Sequence, residues 1–544
     1  MRVLRVDDIQ KTTNDLKNLL GADLLCFMLD IEAKKLDEGD LNNKQLQVIP
    51  KLKPCIDLLK GQNGFEKSAN TSQLLCTYEE SLKTSWASYL HYFCKGIELP
   101  TFDYVRDNAS RNIMLLSRDT YPVLLVQRSE YGGMPDFMSA SYKSPFREKF
   151  VLEITKSRNP IRKLFPNIKS YRHYKNNPEE IHSLNSNLVM SNGQIETISA
   201  FMLPESILSS STFTTSGRRD PITAYTSSVL TQYKKIKRVA NGGEISINSM
   251  LGLGNVDISP DIDHIKKGRV LIRRICAIDK FAMIGNYDNN ASIVAEISEP
   301  QKILEIFNAQ DDDEISRNQR YEKYSEELND SFNSRQDMTY KIRLAMLLCS
   351  NVEGLVSPTY VFTTSLSPLS SGRSAAVSPY RWNSSQYERR EISNTQANEF
   401  CTWLIRLERL PKKLDVSLKR LISASMDRMD ASDAFIDAAM VWENLFGAKQ
   451  ETTLRIKGAI SLLLEPTDQE KRRLLMKEVN TLYEKRSRLV HGAPNVDLSE
   501  IHLDRDRSID IAIRCFKRVL MSRRLLEAKD SEERGQIIMF NIMK

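Results

Sequence analysis

Residues 471–494, KRRLLMKEVNTLYEKRSRLVHGAP, limit what this chain can fold into more than any other stretch. At about 100° of turn per residue, Leu475, Val479, Leu482 and Leu489 form one apolar stripe, and Arg486 falls at its centre. The helix therefore aims a guanidinium at the core. That group keeps its proton when buried, so a carboxylate, a backbone acceptor or a phosphate has to meet it. The pattern stops at His491, with Gly492 and Pro494 following, which is the composition of a helix end. His491 is expected in the last turn, where the negative end of the helix dipole favours positive charge.

Glu443 is the natural internal partner for Arg486. It sits at the edge of a second apolar stripe, Phe435, Ala439, Trp442 and Phe446, where an unpaired carboxylate would be costly. Two parallel hydrogen bonds between Glu443 and Arg486 are expected. Ser487, one turn before His491, is placed either to orient the imidazole or a phosphate oxygen, or simply to face solvent. Lys485 and Arg488 read as surface charges able to attract a polyanion. On a regular helix Arg486 and His491 point about 140° apart. They reach one phosphate only if the helix ends or distorts at Val490, or if two chains set their motif helices side by side.

Three segments in succession, 433–446 (DAFIDAAMVWENLF), 453–464 (TLRIKGAISLLL) and 482–492 (LYEKRSRLVHG), resemble the Apea-like branch of the HEPN superfamily. The superfamily motif is an arginine followed after four to six residues by a histidine; Arg486 and His491 have four between them. Many HEPN nucleases carry Asn, Asp or His directly after the arginine, whereas this chain has Ser487, as is common in the Apea-like branch. The resemblance covers residues 391–544 and says nothing of the first 390.

The resemblance implies a C-terminal all-α HEPN-like bundle that acts on RNA, single-stranded or transfer RNA. It also implies a homodimer or higher oligomer with a composite site across a two-fold axis, and cleavage without metal or cofactor. A ribose 2′-hydroxyl would attack the adjacent phosphate, leaving a cyclic phosphate and a 5′-hydroxyl. His491 would act as general base or acid, and Arg486 would hold the phosphate as charge builds on its oxygens. DNA lacks that hydroxyl and is expected to resist. Proteins of this architecture in toxin and antiviral-defence systems place the nuclease behind a larger N-terminal part, which fits a phage-derived trigger. The same residues leave a second reading open: a non-catalytic dimerisation or RNA-binding module attached to a ligand-sensing N-terminal region.

The full chain of 544 residues is long for one domain. It reads as an α+β multidomain protein. Residues 1–300 are expected to form an N-terminal helical plus mixed α/β sensor or targeting region. Residues 301–390 read as a helical connector and a Ser/Pro-rich linker, and 391–544 as the helical domain. Hydrophobic residues at 41% and charged residues at 27% supply an ordinary globular core. No apolar run is long enough to span a bilayer, and the start MRVLRVDDIQ lacks the apolar segment of a secretory signal, so a cytoplasmic protein without a membrane partner is expected. The net charge of +7 permits an anionic partner. Eight cysteines, at 26, 55, 76, 94, 276, 349, 401 and 515, have no paired spacing and read as reduced core residues. None of the six histidines joins a cysteine at zinc-ligand spacing, so no metal site is expected.

Within the front part, Leu16, Leu19, Leu20, Leu24, Phe27, Met28 and Ile31 keep helical spacing. Runs 113–116, 123–126 and 270–275 look β-like, and Asn241-Gly242-Gly243 predicts a turn into a strand. Gly252-Leu253-Gly254 reads as a turn. The acidic run 311–314 reads as a solvated helix start, and 363–385, rich in Ser, Pro, Thr and Gly, as a linker. Lys156, Arg158, Arg162, Lys163, Lys169, Arg172 and Lys175, interleaved with Phe165, Tyr171 and Tyr174, suit phosphate contacts and base stacking, although a charged surface loop has the same composition.

Overall fold

Asn42, Asn63 and Ser85 each accept a hydrogen bond from an amide two or three residues on, and each opens a helix: Asn43–Leu59, Gly64–Thr71 and Trp86–Lys95. With Val6–Leu20, Ala22–Leu29 and Ala33–Glu38 they make the front of the protein helical. The computed structural model describes residues 6–127, 137–191, 195–212, 221–275, 279, 291–308, 313–349, 358–369, 375–377, 390–448, 452–492 and 499–540. The chain is mixed α+β, with several sheets and a helical C-terminal region.

The leucines from 16 to 28 do not share one helix. Gly21, at φ +88°, breaks it, and a Cβ there would come within 2.9 Å of Gln127 Cβ. Leu16, Leu20, Leu24, Leu25 and Met28 still meet in one core with Leu52, Leu75 and Leu90.

Run 113–116 is helical, not extended: it lies inside Asn108–Thr120, which Asp107 caps. Run 123–126 falls largely in a 3-10 turn, Tyr121–Leu125. A short apolar run looks the same in a buried helix as in a strand, and only burial on several sides separates them. Helices Asn108–Thr120, Pro145–Ile154 and Pro221–Ala240 pack in a second core with a three-stranded antiparallel sheet, in the order Ile303–Asn308, Asn185–Met190, Ile195–Ser199.

The turn at 241–243 leads into Ile245–Gly254 as expected. This strand belongs to a six-stranded antiparallel sheet ordered Ala375–Val377, Thr359–Ser365, Ile245–Gly254, Ala291–Gln301, Val270–Arg274, His264–Lys267. Two expectations are corrected here. Gly252-Leu253-Gly254 is strand rather than turn, and Gly252 is needed for space, since a Cβ there would lie 2.1 Å from the Phe362 ring. Residues 363–365 belong to a sheet strand rather than a linker. The remainder of the expected linker, apart from 366–369 and 375–377, lies outside the described residues, as do Asp311 and Asp312. Asp313 caps Glu314–Lys323, with the Ser316 amide 2.7 Å from its carboxylate.

One face of this sheet packs with helix Ser325–Leu348 and the C-terminal helices in a single third core. Those helices are Asn394–Glu408, Asp415–Ile422, Ala431–Phe446, Thr452–Leu464, Gln469–Val490, Ile501–Met521, Arg523–Glu527 and Ser531–Met539. Ile509, Ala512, Ile513, Phe516, Val519 and Leu520 are all buried on Ile501–Met521, as its spacing predicts. Among the described residues no helix is long and apolar enough to cross a membrane. Seven cysteines are free thiols, and Cys276 lies outside the described residues. Burial pushes the Cys55 and Cys94 thiols up to about 11.

Candidate functional site

Two capped helices build the site. Asp430 accepts from the Asp433 amide at 2.9 Å and starts Ala431–Phe446, which buries Phe435, Ala439, Trp442 and Phe446. Asp468 accepts from the Lys471 amide at 3.0 Å and starts the motif helix Gln469–Val490, which buries Leu475, Val479 and Leu482 in the same core. Their packing brings Arg486 to Glu443, with Nη2 donating to Oε2 at 3.1 Å. Arg486 keeps 15% of its side-chain surface and Glu443 25%.

The expected contact is present with a single hydrogen bond instead of two. The other carboxylate oxygen, Oε1, accepts from the Tyr483 hydroxyl at 2.7 Å. Burial, and then the Glu443 carboxylate that the hydroxyl faces, push the Tyr483 phenol far above its usual range, so it remains a neutral donor. Its ring centroid lies 5.9 Å from the Arg486 guanidinium carbon. Among the described residues Arg486 Nε is buried without a hydrogen-bond partner, as is Trp442 Nε1. Tyr483 was missed in the sequence, although its place three residues before Arg486 puts both on neighbouring parts of the helix surface.

His491 is the residue at which the helix ends. Its amide still bonds the Ser487 carbonyl at 3.1 Å, and Gly492 turns the chain away at φ +62°. The last hydrogen bond of the ladder keeps the His491 Cβ on the helical spiral, so its side chain leaves about 140° from that of Arg486. His491 is exposed and Arg486 faces the core, so one chain does not bring them together. Pro494 lies outside the described residues. Ser487 is half-buried one turn before His491, and Arg488 is exposed. Lys485 is not a free surface charge: it pairs with Asp504 on the next helix and is 19% exposed. The helix stripe through Asn480, Glu484, Ser487 and His491 also carries a polar chain, in which Lys457 donates to Asn480 at 2.9 Å and Asn480 to Glu484 at 2.6 Å.

The second basic stretch has less to offer a nucleic acid than its composition promises. Arg162 donates to the carbonyls of Thr155, Ile168 and Lys169 at 2.7–3.0 Å, tying its own loop. Lys163 bonds Asn241 at 2.9 Å and Lys169 pairs with Glu180 at 2.6 Å. Phe165 and Tyr174 are 1% and 3% exposed, so neither ring can stack on a base. Arg172 is exposed, and Lys156 lies over the Tyr171 ring at 4.8 Å. Phe165 and Tyr174 are drawn inward because they belong to the second core.

An ionic cluster around one buried carboxylate, on the same helix as Glu443, has no signature in the sequence. Asp437, 3% exposed, accepts from Arg420 at 2.5 Å, Ser423 at 2.6 Å and Arg428 at 3.0 Å. Burial pushes its carboxyl up, but these hydrogen bonds outweigh it and hold the group below its ordinary range. Among the described residues no group of His, Cys, Asp and Glu is arranged to hold a metal ion. In comparison with known proteins, the chain matches no family model, no curated protein and no solved structure.

Proposed function

We propose that the protein is a metal-independent RNA endonuclease of a toxin or antiviral-defence type, cleaving by 2′-hydroxyl attack at a site that two copies complete together. The observation that carries this reading is the divergence of Arg486 and His491 along one helix: a half-buried guanidinium held by Glu443, and an exposed imidazole at the helix end. One chain offers a phosphate either group, and a second motif helix alongside offers both. Arg486 binds the phosphate and stabilises its developing charge, while His491 moves the proton. Ser487 and Arg488 border the imidazole, and Arg488 is the exposed charge that draws RNA in.

The non-catalytic reading, a dimerisation or RNA-binding module, has one observation in its favour: Arg486 already has a carboxylate partner. Purified full-length protein incubated with single-stranded RNA or transfer RNA separates the two. Cleavage in the presence of a chelator, leaving cyclic phosphate and 5′-hydroxyl ends and falling at least a hundredfold in His491→Ala, is expected from general acid–base catalysis. Undiminished cutting by a folded His491→Ala protein, or binding without cutting, excludes the catalytic role.

A further inference from the structure

Nε and Nη2 share one edge of a guanidinium, the edge that a carboxylate ordinarily grips with both oxygens. Glu443 grips only Nη2 of Arg486, and Nε is left buried without a partner. The second oxygen of Glu443 is instead held by the Tyr483 hydroxyl, which donates to it at 2.7 Å. We infer that Tyr483 is a positioning residue for phosphate recognition, holding Glu443 to a single hydrogen bond so that Arg486 is fixed in place but only partly neutralised. This rests on the proposed cleavage reading for its consequence, and on the Glu443, Tyr483 and Arg486 geometry for its cause.

The arrangement meets two requirements that pull in opposite directions. An arginine among leucines needs a carboxylate to be tolerated. A forked pair would supply that carboxylate and at the same time bind both donors of the edge, lowering the attraction left for a substrate phosphate. A tyrosine that stays neutral takes up one oxygen and spreads the carboxylate charge over two donors. Arg486 Nη1, which forms no hydrogen bond among the described residues, then remains for an incoming anion, while Nη2 keeps the side chain in register.

The test uses the full-length protein, with two readouts: cleavage of single-stranded RNA, and binding of a fluorescent RNA whose scissile nucleotide carries 2′-deoxyribose. In Tyr483→Phe the freed oxygen closes the fork on Nε. Cleavage and affinity are both expected to fall about tenfold, the scale of one hydrogen bond to a charged group. Adding Glu443→Gln to Tyr483→Phe removes the over-tight pair, and both readouts should return to the level of Glu443→Gln alone. A tyrosine that merely packs predicts no such rescue, because the two losses would add. The inference is overturned if Tyr483→Phe matches wild type, or if the double variant is weaker than either single one. Wild-type protein that binds but does not cut overturns the cleavage reading alone, since the variants are still read by binding; protein that does neither overturns both.

Discussion

Glu196 is 6% exposed on strand Ile195–Ser199, and Ser367 donates a hydrogen bond to its carboxylate at 3.0 Å. Burial dominates and pushes the carboxyl up to about 7. The folded protein therefore keeps a proton that the unfolded chain has already released above the ordinary carboxylate range. Stability falls as pH rises from that range through about 7 and is level beyond it, by up to about 3 kcal/mol from this group. Glu196→Gln is expected to raise the urea midpoint at pH 8 and to flatten the change between pH 5 and pH 8; an unchanged slope would place the charge elsewhere. Arg486 poses the same burial problem for a group that cannot lose its charge, and there the answer is a partner, Glu443, whose own second oxygen is occupied by Tyr483.

Helix ends supply a different answer. Arg534 is 1% exposed, and its Nε and Nη1 donate at 2.9 Å to the carbonyls of Leu525 and Leu445, in the last turns of Arg523–Glu527 and Ala431–Phe446. The negative ends of two helices stand in for a carboxylate. Arg534→Met strips both carbonyls of their donor and should cost about 2–4 kcal/mol, read as a lowered thermal midpoint; an unchanged midpoint would mean water satisfies them. The motif helix was legible in the sequence because its leucines, cap and glycine agree on one period and one end, and Glu443 followed from the second stripe. Tyr483 was not, because it stands at the border of the stripe, where period alone gives no partner. Run 113–116 was misread because four apolar residues carry no period, while Asp107, the cap that settles the matter, lies six residues upstream. Strand Thr359–Ser365 was hidden by its Thr and Ser composition; what makes it a strand is pairing with Ile245–Gly254, more than a hundred residues away.

The third core runs without a break from the six-stranded sheet through helix Ser325–Leu348 to the motif helix, so the C-terminal helices are packed onto the rest of the protein. Arg343 spans the same junction, pairing with Asp427 and donating to the Pro358 carbonyl at 3.1 Å. A ligand that shifted the sheet would act on the helices that carry Glu443 and Arg486 through direct packing. The proposed site needs two copies of the chain, and the most direct measurement mixes two full-length variants expected to be inactive, Arg486→Ala and His491→Ala, and follows RNA cleavage. Random pairing makes half of the dimers mixed, each with one intact Arg486 opposite one intact His491, so the mixture should recover about a quarter of wild-type activity. A mixture as inactive as its components, with both variants folded and dimeric, would contradict the shared site.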